Sequence, residues 1–186
     1  MLIEDGKGNG TKAEVRKTIL QVSGNEALNA NMNGDGYIVT VDEVTVDTAD
    51  RIMVLLINQD AKGRDMVVTH FQMMAQDNST ACYEVNLGAT FSATVANGTA
   101  VVPANLRSGS GNVAGGEYYV NDGAGDMTDR TGGYIAYIGP RQHKDYNASE
   151  RGWVDGGWVV PHGQSWYLSP QVADTFRGCV QFYFRD

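Results

Sequence analysis

Between Phe176 and Arg185 the chain alternates strictly. Phe176, Gly178, Val180, Phe182 and Phe184 fall on one face of an extended segment, and Arg177, Gln181, Tyr183 and Arg185 fall on the other. This period of two recurs elsewhere, in Tyr37 to Val41, Val44 to Val46, Glu117 to Val120 and Tyr134 to Ile138. Met66 to Met74 follows it too, with Val67, Thr69, Phe71 and Met73 on one side and Met66, Val68, His70 and Gln72 on the other. Arg51 to Asn58, bounded by Asp50 and Asp60, is apolar without alternation and predicts a strand buried on both faces. Ten or so short strands with no helical spacer between them specify an all-β fold. The leading architecture is an antiparallel β-sandwich of jelly-roll type, with helix a minor component.

The turns agree with that class. Glycine supplies 23 of 186 residues, and 42% of residues are hydrophobic, enough for one real core. Thr90 to Val102 alternates about Asn97-Gly98, the favoured two-residue hairpin pair, so that Val95 would face Ala100 and Ala93 would face Val102. Pro161-His162-Gly163-Gln164 predicts a second hairpin joining Gly157–Val160 to Ser165–Leu168. Gly109 to Gly116 and Asn121 to Gly133 are loops, and Pro140 to Gly152 runs over the surface.

The start of the chain is different. Gly6, Gly8 and Gly10 alternate with polar residues behind Leu2 and Ile3, a pattern that supports neither helix nor buried strand. Residues 1–20 form an extended N-terminal arm, and residues 21–186 form the β-sandwich body. Ala13 to Val22 fits either a strand or a helical turn. The arm's partner-binding residues are Leu2, Ile3, Glu4, Asp5, Gly6, Gly8 and Gly10: an apolar tip and a pliable stem that gain contacts by ordering on a neighbour.

Several chemistries are disfavoured. A net charge of −8 is wrong for nucleic acid, whose phosphates require clustered cations. The longest apolar run, Ile52 to Ile57, is too short to cross a bilayer as a helix, and the polar start lacks a signal-peptide core, so folding in the cytosol is expected. Cys82 and Cys179 lie outside any CxxC spacing and read as partly buried thiols. His70, His143 and His162 show no zinc spacing. Ser165, His162 and Asp155 lack the Gly-x-Ser-x-Gly elbow that would make them a nucleophilic triad. With P-loop and dinucleotide patterns also missing, neither enzymatic activity nor a cofactor is expected.

Two patterns carry rival readings. Asn31, Asn33 and Asp35 alternate about Gly34 and Gly36 with Asp42 beyond, resembling a calcium loop. Asn stands where Asp usually opens such a loop and Asp where Glu closes it, so the preferred reading is a tight turn entering a strand. Asp122, Asp126 and Asp129 form a second acidic loop with no ligand spacing. Trp153, Trp158, Trp166 and Tyr167 could stack on sugars, but large aromatics more often fill cores and interfaces.

Three stretches resemble a group of virion proteins encoded among the head genes of tailed bacteriophages. They are Leu2-Ile3-Glu4-Asp5-Gly6-x-Gly8-x-Gly10-x-x-Ala13-x-Val15, Asn97 through Pro103 to Asn112, and Trp158-Val-Val-Pro161-x-Gly163-x-Ser165-x-x-Leu168. The resemblance implies a capsid decoration, or cement, protein. Such a protein would stand as a homotrimer on the capsid exterior, bind the major capsid protein through its arm, and be made in the bacterial cytoplasm. The rivals are a carbohydrate-binding or host-attachment module and a tail or head-completion component of the virion.

Overall fold

The computed structural model describes residues 26–48, 51–77, 83–88, 90–91, 95–125, 127, 130–131, 134–138 and 149–185, with the backbone course alone given for 90–91, 130–131, 134–138 and 149–156. The arm residues Leu2 to Gly10, the segment Ala13 to Val22, and Cys82, Ala93, Asp126, Asp129 and His143 lie outside the described residues. A helix, α1 (Glu26–Asn33), is followed by β1 (Gly36–Val46), β2 (Val54–Asn58), β3 (Asp65–Ala75) and β4 (Tyr83–Leu87). Five shorter strands come next: β5 (Thr90–Phe91), β6 (Gly98–Ala100), β7 (Ala104–Asn105), β8 (Gly116–Asn121) and β9 (Arg130–Thr131). The chain closes with β10 (Tyr134–Ile138), β11 (Ser149–Val160), β12 (Ser165–Pro170) and β13 (Asp174–Arg185).

One sheet has the order β11-β3-β13-β1-β7 and the other β10-β4-β12-β2-β8-β6, while β5 and β9 pair with each other. All pairings are antiparallel. With β5 to β9 set aside, the remaining eight strands run sixth-third-eighth-first in one sheet and fifth-fourth-seventh-second in the other. That order is a jelly roll. β5 to β9 are an insert between β4 and β10, and three of them extend the same edge of both sheets. β8 and β6 continue outward from β2, and β7 lies beside β1.

The core between the sheets takes Phe176, Val180, Phe182 and Phe184 from β13, the set given by alternation. Phe182 stacks between Tyr37 and Tyr118, at centroid distances of 5.6 and 5.2 Å. Phe71, Trp158 and Trp166 form a second aromatic group, with centroids 6.0 to 6.3 Å apart. β2 is buried on both faces as expected. Val54 and Leu56 enter the main core, whereas Ile52 and Leu55 pack outside the sheet with Met127 and Tyr167.

Bulges correct two strand readings. Thr69 is unmatched between the pairs Gln181↔His70 and Phe182↔Val68. One extra residue reverses the facing of everything beyond it. Met66 and Val68 therefore share the core with Phe71, Met73 and Ala75, where simple alternation had put them on opposite faces. Likewise Tyr37 to Val41 and Val44 to Val46 are one strand, in which Asp42 and Glu43 bulge opposite Arg177 and Glu43 takes φ 51°.

Both predicted hairpins are also corrected. Gly98 to Ala100 pair with Asn121 to Tyr119 of β8, and of the turn pair only Asn97 is left-handed, at φ 54°. A type I′ hairpin needs positive φ at both residues. The Pro161 to Gln164 segment does form a turn, with the Gln164 N–H donating to Pro161 O at 3.0 Å and Gly163 at φ 80°. It joins strands of different sheets, because β11 pairs with β3 and β12 with β2 and β4.

β13 crosses β3 closely at Gly178. A Cβ there would lie 2.0 Å from Gln72 O and 2.9 Å from Met73 Cα, both backbone atoms. Gly178→Ala should therefore lower the melting temperature by several degrees, since the two central strands would have to separate; an unchanged melt would show that this crossing can relax.

Candidate docking surface

α1 is short, and its two faces differ. Ala30 packs inward against Val67 of β3 and Tyr183 of β13, with Ala27 beside it. Glu26, in the first turn, suits the positive end of the helix dipole. Its carboxylate accepts a hydrogen bond of 2.9 Å from the Tyr183 hydroxyl. Burial, assisted by this carboxylate, pushes the Tyr183 phenol up to about 12. Tyr183 is on the face opposite Phe182, as predicted, yet it is only 5% exposed because the helix covers it.

The helix stops in a Schellman motif. The Asp35 N–H donates to Ala30 O at 2.8 Å and the Gly34 N–H to Asn31 O at 3.2 Å, with Gly34 at φ 80°. Two side chains of the insert complete the cap. Asn105 Nδ2 donates to Gly34 O at 2.7 Å and Asn112 Nδ2 to the same oxygen at 3.2 Å.

These contacts bring exposed apolar residues to one end of the body. Leu28 and Met32, four residues apart on the outward face of α1, are 53% and 64% exposed. Val113 follows the capping Asn112 and is 75% exposed, and Leu106 follows Asn105. Residues 1–25 join at the start of this helix.

A buried ion pair fastens this end. Arg64 donates to both oxygens of Asp60, from Nε at 3.0 Å and Nη2 at 3.1 Å, and from Nη1 to Asp35 at 3.1 Å. Its guanidinium stands 5.0 Å from the Phe184 ring centroid. Asp60 also accepts the Lys62 and Arg64 N–H groups. The side-chain bonds from Arg64 hold the Asp60 carboxyl below its usual range against the opposing effect of burial. Asn58, fully buried, donates to Arg64 O and Val160 O and accepts from the Asp60 N–H. Gly115 of the insert lies so close that a Cβ there would be 2.8 Å from Asp60 Cα. Helix, insert and the β2–β3 loop are thereby held as one unit.

The other sequence candidates are dispersed. Asn31 and Asn33 are in the last turn of α1, Asp35 is held by Arg64, and Asp42 sits in the β1 bulge, six strand residues or about 20 Å from Gly36. Among the described residues no group of three or more His, Cys, Asp or Glu could hold a metal ion. Ser165 is buried in β12 while His162 is exposed in the turn before it. Trp158 and Trp166 are in the core, which removes them as a sugar-stacking surface, and Tyr167 is buried under Met127. Cys179 is a free thiol whose pKa is raised by burial. Among the described residues no helix is long and apolar enough to cross a membrane.

Leu28 and Met32 were not singled out by sequence, although their spacing is that of a helix face. The Arg64–Asp60–Asp35 triad left no local pattern at all, because its third member comes from across the sheet. Compared with protein-family models, curated proteins and solved structures, the chain matches none.

Proposed function

We propose that this protein is a structural component of a bacteriophage virion, a decoration protein that stands on the capsid exterior as a homotrimer and reinforces the shell by binding the major capsid protein. The observation that carries the reading is the apolar end of the body. Leu28 and Met32 lie along α1, at whose start residues 1–25 join, and Leu106 and Val113 follow the two asparagines that cap its other end, so arm and body can engage one partner together. The middle stretch that resembles phage virion proteins, Asn97 to Asn112, supplies both helix caps and Leu106 of this surface. An adhesive role needs many modest contacts on a rigid support, and the buried ion pair provides the support.

The test is cosedimentation with purified capsid shells, counting copies per particle. Hundreds of copies are expected; a few would assign the protein to a tail or portal vertex instead. Deleting residues 1–12 should leave the β body folded and weaken attachment, and binding at unchanged affinity would remove the arm from the mechanism. Leu28→Asp with Met32→Asp should weaken binding at least about a hundredfold with an unchanged circular dichroism spectrum, since each apolar side chain buried at a contact contributes about 1.5 to 3 kcal/mol.

A further inference from the structure

β1 is bonded along its whole length to β13, but on its other side it meets β7 only at Tyr37 and Ile38 among the described residues. The ladder's phase shows which backbone groups this leaves open. The Phe184 N–H donates to Asp35 O and the Leu106 N–H to Gly36 O, so the even residues before the bulge, Thr40 included, direct their N–H and C=O toward the β7 side. Beyond the bulge, Thr175 O accepts the N–H of Gln76, the residue after β3, which makes Thr45↔Thr175 a non-bonded pair and turns the Thr45 backbone outward as well. Thr40 and Thr45 both line a cleft of about 380 Å³ between this edge and strands β6 and β8. Val44, Val101 and Val120 are among its apolar lining, and Asp42, Glu43 and Asp122 are its carboxylates. Glu43 is paired with Arg177, leaving the rim acidic at Asp42 and Asp122.

We infer that this cleft receives residues 11–22 of a second copy of the chain, laid as an added strand along the open edge of β1. The segment Thr-Lys-Ala-Glu-Val-Arg-Lys-Thr-Ile-Leu-Gln-Val carries three cations, Lys12, Arg16 and Lys17, against one anion, Glu14, in a chain of net charge −8. It is rich in β-branched residues, and Val15 and Ile19 flank the cationic pair, matching an apolar lining with an acidic rim. An exposed strand edge is a template for any extended chain, and carboxylates beside it bar acidic strands and favour a basic one. The segment comes from a neighbour because its own copy is tethered at the wrong place. Glu26 is fixed over Tyr183, whose β1 partner Gly36 is four strand steps, about 13 Å, from Thr40. The link from Val22 to Glu26 reaches at most about 14 Å and must also round the sheet from its outer surface to its edge. This assigns the contact behind the self-association proposed above, while residues 1–10 stay free for the shell.

The experiment is sedimentation velocity on the full chain without capsids, so its failure leaves shell binding standing. The unsubstituted chain should self-associate. Arg16→Glu with Lys17→Glu, and separately Asp42→Lys with Asp122→Lys, should each weaken association at least tenfold with unchanged thermal melting. An equimolar mixture of the two variants should associate again between unlike copies, as pairs rather than trimers, because the acidic arm of one fits the basic cleft of the other while an odd ring would force one like-charged contact. A monomeric unsubstituted chain, variants that associate undiminished, or a mixture that stays dissociated would each overturn the assignment; the last of these would indicate that the arm occupies its own cleft.

Discussion

Phe182→Ala unfolds the body. Its ring is 1% exposed, stacks on Tyr37 and Tyr118 and meets Phe184 edge-on, so truncation removes the centre of an aromatic group that bridges both sheets. A buried Phe→Ala change costs about 3 to 5 kcal/mol, against a total stability of about 5 to 15 kcal/mol for a domain. Alternation alone makes the neighbouring Tyr183→Ala nearly silent, with its ring in solvent. The structure changes that expectation: Tyr183 is covered by α1 and anchors Glu26, so Tyr183→Ala should cost about 2 to 3 kcal/mol and loosen the helix. Urea titration of both variants, with Tyr183→Phe as the control that keeps the ring, separates the two. A silent Tyr183→Ala would mean that the helix does not cover this face.

Asp60→Ala should be comparably severe. It takes the bidentate partner from the Arg64 guanidinium, whose side chain is only 11% exposed, and leaves Asp35 as its one charged partner, so the cost approaches, without exceeding, the about 3 to 5 kcal/mol of breaking a buried ion pair from one side. Replacing the whole set with apolar residues could be far milder, because the desolvation cost of both charges then disappears. The same pair sets a pH dependence. Asp60 titrates lower in the folded protein than when unfolded, so its contribution is complete above the unfolded carboxyl value, about 3.9, and is lost as the pH falls below that toward the folded value. Thermal melts should therefore be progressively destabilised as the pH falls below about 4, and Asp60→Asn should flatten that slope. Parallel slopes would show that other carboxylates control acid unfolding.

Much of the fold was legible because strands announce their faces. β13 and β10 were bounded within a residue or two by alternation and β2 within three by flanking Asp, and the jelly-roll class followed from strand number and the lack of helical spacers. What failed has one physical cause. A bulge such as Thr69, or a corner such as Pro161 to Gln164 that passes from one sheet to the other, is decided by the partner strand, and partners distant in sequence leave no local mark. Asn97-Gly98 illustrates this: the pair does turn the chain, but the strand that follows finds β8 about twenty residues on. α1 was missed because eight residues rich in Asn are a poor helix on intrinsic grounds; its stability comes from Tyr183, Val67 and a cap supplied by the insert. The docking surface inherits that difficulty, since it exists only once helix and insert are joined.

β1 and β13, paired inside the five-stranded sheet, are also the first and last of the described strands, and Thr45 meets Thr175 at a sequence separation of 130. During synthesis β1 must wait, with the edge that β13 will take left open, until β13 has been made. Closure of such a distant pair makes slow folding, on the order of milliseconds to seconds, the natural expectation. Until β13 inserts, Tyr183 is absent from beneath α1, so the helix has no seat and its exposed apolar face is not formed. A chain that has not yet placed β13 therefore lacks the surface that carries Leu28 and Met32, although both residues were made long before.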